Sequence, residues 1–126
     1  MDENFDLERR LRIGQFAQDG VLNSLAHDWV FESMKRKYLY NFDWLGRPII
    51  QYPQDVVAIQ EIIWTIKPTL IIETGIAHGG SLILSASMLA LLDYCEAVES
   101  GTPIDPSESK RKVVGIDIDI REHNRL

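Results

Sequence analysis

The sequence holds one cysteine, Cys95. It can therefore form no internal disulfide and no multi-cysteine zinc site. A lone thiol in an apolar helical stretch fits a small core residue in a reducing compartment, and a cytoplasmic location is expected. Histidine is nearly as scarce, with only His27, His78 and His123. Neither His27 nor His123 has partners at metal-ligand spacing. Basic residues are outnumbered, 13 Lys and Arg against 19 Asp and Glu, and the formal net charge of −6 argues against nucleic acid as the main partner. The clusters Lys35-Arg36-Lys37 and Lys110-Arg111-Lys112 are short and read as solvated helix ends or loops. No apolar stretch is judged long and uninterrupted enough for a bilayer span, which needs roughly 20 residues, so no transmembrane segment is expected. The start, Met1-Asp2-Glu3-Asn4-Phe5-Asp6, is acidic where a secretory signal is basic and then apolar.

What is present is a globular composition: 45% hydrophobic and 25% charged residues exclude a disordered or fibrous chain. Residues 4–18 read as a weakly patterned helix with Leu7, Leu11, Ile13 and Phe16 among charges. Gly20 breaks the run, and a second helix over 21–37 carries Leu22, Leu25, Trp29, Phe31 and Met34 on its apolar side. Residues 38–54, rich in aromatics and containing two prolines and a glycine, read as an extended arm or loop whose rings pack on something. Pro53 and Asp55 then open the cleanest amphipathic helix, with Val56, Ile59, Ile63 and Ile66 at three- and four-residue spacing and Pro68 as its stop.

Thr69-Leu70-Ile71-Ile72-Glu73 is a short apolar run, the mark of a strand buried on both faces in a parallel sheet. A glycine-rich turn follows at 74–80. Next comes a long helix from Ser81 to about Val98, with Leu82, Ser85, Leu89 and Leu92 as inward candidates. After a polar loop at 99–111, Lys112-Val113-Val114-Gly115-Ile116-Asp117 reads as a second buried strand. Strand, helix, strand is a βαβ unit with a parallel sheet.

The chemistry-bearing residues cluster at the joint between the first strand and the helix. Ligands of such sheets bind at the carboxyl ends of the strands. Glu73 ends the strand. Gly75, Gly79 and Gly80 let the backbone turn and approach a ligand, and Ser81 opens a helix whose first amides are unpaired. Asp117 ends the second strand, where an acid accepts hydrogen bonds from ribose hydroxyls. A dinucleotide site would need Gly-x-Gly-x-x-Gly, and the spacing from Gly75 is Gly-x-x-x-Gly-Gly. A P-loop would need Lys where Ser81 stands. The remaining pattern is that of a phosphate-free nucleoside ligand. Each residue also has a plainer role: Glu73 and Asp117 as turn acids, the glycines as ordinary turn residues, His78 as an exposed loop histidine. The aromatic group Tyr38, Tyr40, Phe42 and Trp44 serves packing, or else a substrate or partner surface.

Glu73-Thr74-Gly75-Ile76-Ala77-His78-Gly79-Gly80-Ser81, preceded by Trp44-x-Gly46 and by Trp64-Thr65-Ile66-Lys67-Pro68, resembles the cephalosporin hydroxylase family, whose members resemble class I methyltransferases and include rhamnosyl O-methyltransferases. The resemblance covers about residues 40–120. It implies a Rossmann-like methyltransferase fold of class α/β, three-layer αβα with a parallel sheet. It also implies S-adenosylmethionine as cofactor, held by Glu73, Gly75, His78, Gly79, Gly80, Ser81 and Asp117, with Asp119 as the alternative to Asp117 because the polar loop lengthens the gap. The acceptor would be a small molecule with a sugar or similar hydroxyl, and a divalent metal such as magnesium would be bound by residues beyond this chain. Oxygenation gains no support, since a non-haem iron site needs two histidines and a carboxylate and His78 has no His-x-Asp partner.

The expected organisation is an N-terminal helical extension over 1–37, an aromatic arm over 38–54, and the first half of the Rossmann-like domain over 55–126. Only two strands are legible, so the fold is expected to be truncated after the second, and the chain alone to be inactive with no catalytic residue assignable. Association as a homo-oligomer stays open. The alternative reading is a catalytically inactive interaction module that docks through its helical and aromatic N-terminal part.

Overall fold

Helices form where the periodicity places them. The computed structural model describes residues 3–124, with the backbone alone for His123, so the reading of that side chain lies outside the described residues. The chain divides into two units, Met1–Tyr38 and Leu39–Leu126.

The first unit consists of α1 (Glu3–Phe16) and α2 (Gly20–Lys35). Gly20 is the first residue of α2. The breaker is Asp19, whose carboxylate accepts the Leu22 amide at 2.9 Å and caps the helix. Ion pairs between Asp6 and Arg9 and between Glu8 and Arg12 run along α1. Trp29 meets Tyr38 edge-on at 5.4 Å. The apolar side chains of these helices, Phe16, Leu25 and Phe31 among them, remain exposed.

The second unit begins with a departure from expectation. Residues 38–54 contain an antiparallel hairpin, β1 (Phe42–Trp44) with β2 (Arg47–Ile49), in place of an arm. Leu45 and Gly46 form its two-residue turn with φ of 47° and 81°. Two positive φ values are what the tight hairpin turn needs, and Leu-Gly lacks the Asn or Asp that announces one. The hairpin packs its rings on the core, as expected of the aromatics: Phe42 and Trp44 lie against it, and Trp44 Nε1 donates to Ser87 Oγ at 3.0 Å.

Helix α3 (Pro53–Ile66) has proline in its first turn and ends at Lys67, whose φ of 49° is left-handed. Strand β3 (Leu70–Thr74), helix α4 (Gly80–Ser100) and strand β4 (Lys112–Ile116) follow, and β3 pairs with β4 in parallel from Leu70↔Lys112 to Thr74↔Ile116. The chain is thus mixed α/β with two small sheets. Its core is Ile49, Ile63, Leu84, Met88, Leu89 and Leu92, drawn from β2, α3 and above all α4.

Helix α4 is long and apolar enough to cross a membrane by length and composition, which corrects the estimate made from the apolar runs. Leu84 and Leu92 on it are each 1% exposed and form the centre of the core. Among its expected inward residues Ser85, Leu89 and Leu92 are buried. Leu82 is half-buried and fills the space over Gly115 that a side chain there would occupy.

The strands depart from expectation in burial. Ile71 and Val113 face the core, while Leu70, Ile72, Val114 and Ile116 on the opposite face are 43–60% exposed. A continuous apolar run shows that a strand can be buried on both sides, not what lies on each side.

Candidate functional site

The loop joining β3 to α4 is built on alternating left-handed residues, with φ of 79° at Gly75, 43° at Ala77 and 81° at Gly79. Glycine takes that conformation freely. The Gly75 amide donates to Ile116 O at 2.8 Å and extends the parallel ladder by one step. The Gly79 amide closes a turn on Ile76 O at 2.7 Å, and Gly79 then caps α4 with no side-chain hydrogen bond. The first amides of α4 are therefore left without an intrahelical partner.

A cavity of about 350 Å³ opens at this point, at the carboxyl ends of β3 and β4. Five of the seven residues predicted from the sequence line it: Glu73, Gly75, His78, Gly80 and Ser81. The Ser81 hydroxyl, on the second residue of α4, donates to Glu73 Oε1. That contact fixes the strand-end carboxylate against the helix N-terminus, where negative charge is favoured.

Gly79 and Asp117 do not line the cavity; they hold its wall. Asp117 Oδ2 accepts the Ile76 amide at 2.8 Å, and Oδ1 accepts the Asp119 amide at 3.0 Å. These amides, Asp119's first and then Ile76's, keep the Asp117 carboxyl below the ordinary aspartate range, with smaller help from those of Ala77 and Ile118. Asp119 is exposed and acts here through its backbone.

Gly80 does a second job. A Cβ on it would lie 2.3 Å from Pro48 O and 2.8 Å from Ile49 Cα, so the start of α4 touches the backbone of β2 directly. This contact brings the hairpin to the site. Pro48, Ile50 and Gln51 line the cavity, and Arg47 reaches the glycine loop from outside it. Sequence reasoning missed these residues. The one available signal was Gly46, which the turn requires.

A larger cleft, about 670 Å³, lies between the second half of α4 and the polar loop before β4. It contains none of the predicted residues. Arg111 at its wall is only 9% exposed along its side chain and pairs with Asp93 and Glu96 of α4. Its charge is thereby spent on joining loop to helix. Among the described residues no three His, Cys, Asp or Glu side chains come together to hold a metal ion.

The family model for rhamnosyl O-methyltransferase/CmcI matches residues 36–126. No curated protein and no solved structure matches the chain. The match spans the hairpin, α3, the glycine loop, α4 and both parallel strands. The chain belongs to the rhamnosyl O-methyltransferase/CmcI family, which implies an O-methyltransferase-like activity toward a small-molecule acceptor.

Proposed function

We propose that the cavity at the ends of β3 and β4 binds S-adenosylmethionine, that the parallel pair belongs to a Rossmann-like sheet, and that the reaction served is methyl transfer to a hydroxyl of a sugar or similar acceptor. One observation carries this reading: Glu73, Gly75, His78, Gly80 and Ser81, far from contiguous in role, converge on a single cavity at the strand ends. The cavity's size lies within the range of small-ligand sites. Its donor set suits the cofactor. Glu73 offers a carboxylate to a cationic ligand, and the helix start offers amides to a carboxylate. Triphosphates and dinucleotides ask for a lysine or a glycine spacing that is not here.

Bound S-adenosylmethionine supplies an activated methyl group on sulfur. The chain's own residues align it. Gly75 keeps the loop open by its left-handed φ, and Glu73 is held in one orientation by Ser81. Asp117 fixes the loop from behind through the Ile76 amide. Fixing the donor in this way contributes to rate through orientation. Among the described residues the donor set does not fit a metal ion.

Titration calorimetry with S-adenosylmethionine tests the proposal. The native chain is expected to bind saturably. Gly75→Val, which cannot adopt the φ, and Glu73→Gln, which keeps shape but removes charge, are each expected to weaken binding about tenfold or more. A folded native chain that gives no heat of binding overturns it. The exposed Phe16, Leu25 and Phe31 on α1 and α2 favour a second role for the N-terminal unit, docking on a partner.

A further inference from the structure

The glycine loop holds one residue unsuited to its conformation. Ala77, at φ 43°, sits in the left-handed region between two glycines. A Cβ makes that region unfavourable, and such a residue persists where its surroundings over-determine it. Two clamps do so. On the amide side, Asp117 binds the Ile76 amide and draws on that of Ala77. On the carbonyl side, Asn124 Nδ2 donates to Ala77 O at 2.6 Å. Arg47 Nη1 in turn donates to Asn124 Oδ1 at 3.0 Å and reaches His78 O at 3.5 Å. The Asn124 amide thus uses its donor and its acceptor at once. Arg47 comes from β2 and Asn124 from the 3-10 turn Glu122–Asn124, so two segments remote in sequence meet on two consecutive carbonyls of the loop.

We propose that Arg47 and Asn124 are positioning residues, a latch that sets Ala77 and the glycine loop in their ligand-ready conformation before any ligand arrives. The proposal rests on the reading of the cavity as an S-adenosylmethionine site. Neither residue lines the cavity; both act through the loop backbone. Ordering the loop in advance removes that cost from the binding step.

Two readouts separate the latch from the ligand. In ligand-free protein, amide hydrogen exchange at residues 76–79 is expected to quicken about tenfold in Asn124→Ala and in Arg47→Ala, with the core amides of Leu84 to Leu92 still protected. Affinity for S-adenosylmethionine is expected to fall by about the same factor. Adding Ala77→Gly to Asn124→Ala removes the strained Cβ and is expected to restore most of that affinity. Unchanged loop exchange in Asn124→Ala, or a double variant that binds no better than Asn124→Ala, overturns the latch. Exchange that responds as expected in a chain that binds no S-adenosylmethionine upholds the latch and rejects the cofactor reading instead.

Discussion

Gly80→Ala tests the contact on which the site is assembled. The added Cβ would fall 2.3 Å from Pro48 O, 2.7 Å from Pro48 C and 2.8 Å from Ile49 Cα. All three are backbone atoms of a paired strand, so no side chain can swing aside. The hairpin must move off α4, loosening Ile49, which is 3% exposed, and the Trp44 to Ser87 hydrogen bond. Overpacking of this kind costs about 1–3 kcal/mol, and the rigid neighbours place it at the upper end. Alanine's better helix propensity returns at most about 1 kcal/mol. The expected net loss is about 2 kcal/mol, or roughly 8–16 °C in the unfolding midpoint of a unit this size. Thermal and urea unfolding followed by circular dichroism measure it. Tryptophan fluorescence should report the displacement of Trp44. A Gly80→Ala protein as stable as the native one would refute the close approach, and with it the placement of Pro48 and Gln51 at the cavity.

Asp117, with its carboxyl held below the ordinary value by loop amides, contributes stability that is fully present above the unfolded pKa, near 3.9, and is lost as pH falls through the folded one. Asp117→Asn should therefore lower stability at neutral pH and flatten the acid-induced loss below about pH 4, as read by urea midpoints across pH. Arg111→Ala should lower the unfolding midpoint more than Lys35→Ala. Arg111 is 9% exposed and joins the polar loop to α4, whereas Lys35 and its partner Glu32 are both about half exposed, where ion pairs contribute little.

The βαβ unit was legible because its signals are local. The apolar runs at 70–72 and 113–116 flank a glycine turn and a long apolar helix, and each reads as its element type from its own residues. The cavity-lining residues Glu73, Gly75, His78, Gly80 and Ser81 were legible for the same reason, lying within nine positions of one another. The hairpin was not, because Leu45 takes a left-handed φ with no residue type to announce it. The link from Arg47 to Asn124 spans 77 positions, and nothing in either neighbourhood marks the pairing. The second role of Gly80 was hidden too: a glycine that opens a ligand turn and one that admits a neighbouring backbone look alike until the neighbour is placed. The open face of β3 and β4 shows the same limit from the other side, since Ile72 and Ile116 pattern as buried and stand exposed.

The central claim is that S-adenosylmethionine binds at the carboxyl ends of β3 and β4, and amide chemical shifts recorded during titration with that ligand test it most directly. The account predicts saturable shifts concentrated on residues 73–85, on Ile50 and Gln51 and on Ile59, the segments that close around the cavity. Shifts gathered instead around Asp93, Ser109 and Arg111, at the larger cleft, would contradict it, as would a spectrum that saturating ligand leaves unchanged.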